Sequence, residues 1–572
     1  TVNNYRFTPT LLQNRQQFDA RTDKNLSSRS RLSARLSYES QDGLSPNALP
    51  GSFASSDSVQ NADGATTNLS AWGGGLAHTF ALRPSMVNEF RAGLTRFDLN
   101  AQALDSGLDG SALGIPGVGA GGLPVVSPSG YAQLGAANAA PLQFRDTGYQ
   151  VEDTVLWTTR RHSFRFGFQS IRRLTDGTAS EFSSRGAFFF TPDYTSLPGT
   201  ASTGDSIASL LTGNPSEVRR DVQLAPYRLR GWEWAGFAQD DIRLARTLTV
   251  QVGLRYSLDT PVTEASNRMV NYDFDVGAPL TKFAGQGGVN QHAGLSFDHR
   301  TLAPRIGLAW DIHGKGSTVV RAGFSKIYDP GTYFAVGMLA RNAPFASRLD
   351  IVNSVFQTGF NLSDGLPAPA AISTLDIATL NSAHVPVYVI QPRNYSPNTD
   401  QWELSVQQRL KRGFALEIAF LSSMGIHLLG QYDSNQSTST AFCGCFRQAF
   451  DPFAQRVEYL NFAAGSTYYG GELKLTGRRF AGLQLQLVYR YAKAIDDSTQ
   501  PFTDQQSRPS DPQSIYYQRG VRSPSPFDIT HRLIVTASYE VPFKSSRFKL
   551  VAAALANWRV LTVITAQTGL PF

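Results

Sequence analysis

The sequence predicts an all-β protein: a transmembrane, antiparallel, up-and-down β-barrel with long extracellular loops. Three observations carry that expectation. Apolar residues recur at every second position over long runs, tight turns alternate with very long connections, and no stretch of the 572 residues approaches the roughly 18 to 20 consecutive apolar residues of a membrane-spanning helix.

The alternation is clearest at 247–258, where Leu248, Val250, Val252, Leu254, Tyr256 and Leu258 interleave with Thr247, Thr249, Gln251, Gly253, Arg255 and Ser257. A helix would mix Gln251 and Arg255 with the leucines, whereas a strand sends the two sets to opposite faces. The same pattern recurs at Phe164, Phe166 and Phe168, at Trp402, Leu404 and Val406, at Leu483 through Tyr491, and at Leu533, Val535, Ala537 and Tyr539.

Tight turns are expected at 25–30, 82–84, 158–161, 244–246, 313–316, 411–413, 479–482 and 542–549. They define about eight hairpins, or sixteen strands, most about 9 to 14 residues long, enough to cross a bilayer at a tilt. Between the hairpins lie 100–144, 330–397, 430–465 and 497–527, rich in Gly, Pro, Ser, Asn and Ala. Short turns on one side and long loops on the other are the asymmetry of an outer-membrane barrel. Segment 204–213 predicts one short helix in a loop, capped by Asp205, with Ile207, Leu210 and Leu211 forming an apolar face against the barrel mouth.

Composition agrees. Hydrophobic residues make up 41% and mean hydropathy is −0.22, too polar for a helical membrane protein. A barrel hides its membrane signal, because only alternate residues meet lipid. Closure satisfies every backbone group and removes sheet edges. Trp157, Trp232, Trp234, Tyr256, Tyr489, Tyr491, Tyr539 and Trp558 are expected to form interfacial girdles. The net charge of +7 is spread singly over strands and turns, which points to a solvated lumen and loops rather than nucleic acid. No linker divides residues 1–572, so the chain reads as one partial barrel domain. It starts at Thr1 without a signal segment, as a mature or internal fragment would.

No catalytic pattern is present: neither HExxH nor GxSxG occurs. The run from His313 to Ser317 lacks P-loop spacing and reads as a hairpin turn. His292, His299 and Asp298 read as scattered loop residues rather than metal ligands, and Asp496-Asp497 as a turn rather than a calcium site. Cys443 and Cys445, in an exterior loop, leave open a strained disulfide staple or part of a metal site. The expectation is therefore a non-enzyme with no catalytic, cofactor or metal residues, and with substrate-binding residues unknown.

Five segments carry a family resemblance: 17–38 (QFDARTDKNLSSRSRLSARLSY), 303–329 (APRIGLAWDIHGKGSTVVRAGFSKIYD), 487–498 (LVYRYAKAIDDS), 527–543 (FDITHRLIVTASYEVPF) and 558–572 (WRVLTVITAQTGLPF). In this order they resemble the barrel region of Oar-like TonB-dependent receptors. The resemblance implies a cell-outer-membrane barrel of 22 strands, preceded by a carboxypeptidase-regulatory-like domain, a TonB contact segment and a plug. No plug or contact segment precedes residue 17, and the sequence stops before the family's last strands, so the sixteen strands are expected to be a subset. The implied function is import of a ligand, such as a siderophore, glycan or peptide, energised by the TonB–ExbB–ExbD complex. A passive porin and a surface adhesin or matrix-binding barrel remain as alternatives. A plug encoded upstream selects the transporter.

Overall fold

The computed structural model describes residues 6–47, 64–119, 121–135, 140–179, 184–198, 200, 203–274, 280–296, 298–329, 333–353, 355, 359–369, 375–392, 395–435, 450, 452–480, 482–497, 521–540 and 558–571. Among these residues the frame is a set of sixteen long strands. The first eight are β1 (Leu12–Ser27), β2 (Ser30–Ser45), β3 (Ala65–Arg83), β4 (Met86–Ala103), β5 (Leu142–Thr158), β6 (His162–Ala179), β7 (Tyr227–Arg243) and β8 (Leu248–Asp259). The second eight are β9 (Leu302–Asp311), β10 (Thr318–Tyr328), β11 (Asn398–Arg409), β12 (Phe414–Asp433), β13 (Val457–Phe480), β14 (Leu483–Asp496), β15 (His531–Glu540) and β16 (Arg559–Gln567). Each pairs antiparallel with the next in chain order, giving one continuous wall. Among the described residues β1 pairs only with β2, and β16 only with β15.

The register sorts the side chains as the alternation requires. Leu76, Ala92, Val151, Ser170 and Trp234 stand opposite one another across β3 to β7 on the outer face. The adjacent rung, Ala77, Arg91, Glu152, Gln169 and Ala235, faces the lumen. Val252 and Leu254 are 48% and 46% exposed on the outer face, an arrangement that only hydrocarbon makes favourable. The eight aromatics expected in girdles all share the outward parity of their strands or strand ends. Asp153 and Asp240 depart from the pattern: Asp153 faces outward beside Phe90 and Phe168, its carboxylate accepting from Asn88 Nδ2 at 2.6 Å, and Asp240 faces outward beside Phe164 and Val252, 2.7 Å from His162 Nδ1.

The turns lie where they were expected, apart from 542–549, which falls outside the described residues. Gly482 shows why the sequence needs glycine there. Its φ is +84°, and a Cβ would sit 2.4 Å from the Glu540 carbonyl oxygen.

Strand length is a correction. β3 has 19 residues, β12 has 20 and β13 has 24, well beyond the 9 to 14 expected. Above the lipid belt the outward residues turn polar, so alternation ceases while backbone pairing continues. The connections expected at 100–144 and 430–465 shorten accordingly, since β4 runs to Ala103 and β12 to Asp433.

The long connections are also more ordered than loops. Val125–Pro128, Ala187–Phe190, Glu217–Gln223 and Ala346–Val352, drawn from three connections, form a separate four-stranded sheet. Val387–Ile390 pairs in parallel with the start of β13. The expected helix runs Ser206–Leu211, with the Asp205 carboxylate accepting from the Ile207 N–H at 2.7 Å. Leu210 packs into the dome that these long connections form, but Leu211 is 83% exposed, so the expected apolar face is only partly used.

Candidate functional site at the extracellular mouth

The full burial of large side chains occurs above the lipid belt. One apolar cluster contains Leu229 of β7, Leu460 and Phe462 of β13, and Val336, Met338, Leu339 and Tyr388 of the long connection between β10 and β11. Leu229 has the lumen-facing parity of β7. Strands β8 to β12 separate β7 from β13 along the wall, so the cluster joins distant parts of the rim through the 336–339 segment. Gly337 lies so close to Leu229 that a Cβ would stand 3.1 Å from its Cδ1. Two further clusters, around Tyr272 with Phe453 and around Phe188 with Phe190, extend the packing.

Buried amides lock these segments together. Asn342 Nδ2 donates to the carbonyls of Val270 and Tyr388, both at 2.8 Å, and its Oδ1 accepts from the Tyr388 N–H at 2.8 Å. Asn271 does the same for Ile390, donating at 2.9 Å and accepting at 3.1 Å. Such amides substitute for a missing strand ladder and satisfy backbone groups that burial would otherwise leave at a cost. Arg341 pairs with Asp221, both almost fully buried, and the Arg348 guanidinium carbon lies 4.2 Å from the Tyr388 ring centroid.

Electrostatics in this region follows burial and capping. Burial pushes the Tyr272 phenol up and the Asp105 carboxyl up, although the Leu123 N–H donates to the latter at 2.8 Å. Burial also opposes the Glu264 charge, yet the Arg268 and Ser266 N–H groups and the Arg268 guanidinium outweigh it, holding the carboxyl below its ordinary range. Hydrogen bonds from the Tyr131 hydroxyl and the Ile207 N–H lower Asp205 in the same way.

Below the dome the lumen wall is charged. Arg15 pairs with Glu39 at 2.8 Å, Asp19 accepts from Arg35 at 3.0 Å, and Asp23 accepts from Arg21 and Arg31, both at 3.0 Å. A recess of about 420 Å³ is lined by Glu89, Arg91, Glu152, Arg165, Arg255 and Arg305. Exposed pairs of this kind, screened by water and salt, add little to stability. Their consequence is a wettable interior that can face water, a plug or a polar solute.

The sequence matches the family described as Outer membrane beta barrel domain over residues 1–572. The chain belongs to that family. This outer-membrane barrel resides in the cell outer membrane. No curated protein matches it. Among solved structures, the outer membrane transporter YddB from Escherichia coli superposes with a TM-score of 0.50 at 9% identity, covering 97% of this barrel chain and 62% of YddB. FpvA of P. aeruginosa, solved with heterologous pyoverdines, gives 0.49 at 10% identity over 94% of this chain and 53% of its own. The ferric-catecholate import receptor Fiu from E. coli gives 0.47 at 10% identity over 92% and 62%. The barrel chain thus spans less than two thirds of the length of these structures.

The outer-membrane barrel places the residues singled out by sequence as follows. His313–Ser317 lies in the β9–β10 turn, where Gly314 and Gly316 have φ of +67° and +61°. Asp497 Oδ1 accepts from the Gly465 N–H at 2.6 Å, closing the β13–β14 ladder above Asp496. Asp298 ties the loop before β9 to the one before β11, accepting from the Ser396 N–H at 2.8 Å and from Arg300 at 3.1 Å. His292 Nδ1 lies 3.3 Å from the Val262 carbonyl, and the His299 carbonyl accepts from the Tyr256 hydroxyl at 3.2 Å. Among the described residues no group of three or more His, Cys, Asp or Glu is placed to hold a metal. Cys443 and Cys445 lie outside the described residues. Sequence reasoning missed the dome residues Asn271, Asn342, Arg341 and Asp221. The short apolar runs AFFF at 187–190 and VYVI at 387–390 were the available signal.

Proposed function

We propose that this barrel is the wall of a TonB-dependent importer whose folded dome receives a ligand from outside. The observation that carries the reading is the apolar cluster joining β7 to β13 through residues 336–339. A passive channel needs an open mouth. An importer needs a structured exterior surface and a covered entrance that ligand binding or energy input rearranges. The charged lumen wall is consistent with a plug seated inside, and YddB is itself described as an outer membrane transporter. On this reading the partners are the TonB–ExbB–ExbD complex and a ligand large enough to engage several connections at once. The barrel wall itself carries out no covalent chemistry.

Solute flux tests this. The complete protein in liposomes is expected to pass small sugars no faster than protein-free liposomes. Steady flux through the unmodified protein would place it with the passive porins. Flux that appears only after Leu339→Asp, which breaks the cluster, would identify the dome as the barrier.

A further inference from the structure

The outer face of β3 to β7 changes character within two rungs. Gly74, Leu94, Tyr149 and Trp232 share a rung with Arg172. The next rung outward holds Trp72, Arg96, Thr147, Leu174 and Arg230, and the one beyond holds Ser70, Asp98, Arg145, Asp176 and Arg228. All have outward parity. Five arginines therefore meet two aspartates just above an aromatic level, where the outer leaflet's headgroups lie.

The arginines are held in place. Arg96 Nε donates to Asp98 at 2.8 Å, and Arg145 pairs with the same carboxylate while keeping 51% of its side chain exposed. Arg230 pairs with Asp176, Arg228 Nη2 donates to Ser266 Oγ at 2.7 Å, and the Arg172 guanidinium carbon lies 4.9 Å from the Trp232 ring centroid. The surface here is concave: Asp98, Asn100, Gln143, Arg145 and Asp176 help line a recess of about 690 Å³. Asp42 of β2 bounds it, accepting from Asn68 at 2.8 Å. Elsewhere on the outer wall, Lys326 pairs with Asp400 at 2.6 Å and Lys493 with Asp528 at 2.8 Å.

We propose that this sector binds the phosphate groups of a phosphorylated lipid of the outer leaflet. Positive excess, planar donors suited to phosphate oxygens, a concave wall and an aromatic step below to receive acyl chains all fit that occupant. The proposal needs only the outer-membrane setting and is independent of import.

The test is retention of lipid by the complete protein in phosphatidylcholine nanodiscs containing a minor fraction of diphosphoryl lipid A or its dephosphorylated form. Native mass spectrometry reads the bound lipid. The unmodified protein is expected to retain the diphosphoryl form about tenfold or more over the dephosphorylated one, with retention falling as salt rises. Combining Arg145→Gln, Arg172→Gln and Arg228→Gln should abolish that preference, while Lys326→Gln with Asp400→Asn should leave it intact. Heat-modifiable gel mobility confirms that each variant folds. Equal retention of both lipids by the unmodified protein overturns the proposal without needing any variant. So does an undiminished preference in the folded triple variant.

Discussion

At the scale of single residues, the wall is a set of paired facing decisions that can be tested individually. Val252 and Gln251 are neighbours in β8 whose side chains take opposite faces. Val252→Arg is expected to cost roughly 2 to 4 kcal/mol in a bilayer, and Gln251→Arg to be nearly neutral. Urea titration followed by heat-modifiable mobility measures both, and equal costs would show the faces to be misassigned. Asp153 is the converse case. It places a carboxylate among Phe90, Phe168 and Val151 on the outer face, with Asn88 as its donor. Asp153→Asn keeps an acceptor for Asn88 and removes the charge, so it should stabilise the barrel by about 1 kcal/mol. A loss of stability would mean that Asp153 meets something other than lipid. These residues were legible in the sequence in unequal degree. Val252 follows the alternation, whereas Asp153 breaks it, and a local pattern gives no reason for the break.

At the scale of elements, the hairpins were readable because each needs only local information: an alternating run, a Gly-rich or polar turn, and a second alternating run. The upper parts of β3, β4, β12 and β13 were not, because outward residues such as Ser70 and Asp98 no longer contrast with inward ones once lipid ends. The dome was still less accessible. Its sheet is assembled from pieces such as Ala187–Phe190 and Ala346–Val352, more than 150 positions apart, which pair with opposite edges of Glu217–Gln223 in a neighbourhood that no local window contains. Asn342 makes the dome testable as a unit. Asn342→Ala strands two carbonyls and an N–H, at about 1 to 3 kcal/mol. Limited proteolysis should then cut the exterior segments faster while heat-modifiable mobility of the barrel is unchanged. Loss of the folded barrel band would instead make dome and wall one cooperative unit. The dome should also loosen in acid. The Glu264 carboxyl is held below its unfolded value, so its contribution is complete at neutral pH and is lost as pH falls below about 4.3. Proteolysis with an acid protease across that range reads the effect, and Glu264→Gln should flatten it.

At the scale of the whole molecule, one requirement organises everything: a surface that is greasy outside, wet inside and continuous in hydrogen bonding. It explains why a sequence with mean hydropathy of −0.22 belongs in a membrane, and why its large buried side chains collect above the lipid rather than within it. On the proposed importer reading it also separates what the wall does from what the dome does, with passage set by the segments covering the mouth and not by the strands. The most direct measurement is a spin-label scan along β8 from Thr249 to Leu258 in bilayers, comparing collisions with oxygen, which concentrates in hydrocarbon, and with a water-soluble nickel complex. Accessibility is expected to alternate at every residue, with oxygen favoured at Val250, Val252, Leu254 and Tyr256 and nickel favoured at Thr249, Gln251 and Arg255. A repeat near 3.6 residues, or uniform access to nickel along the whole strand, would contradict it.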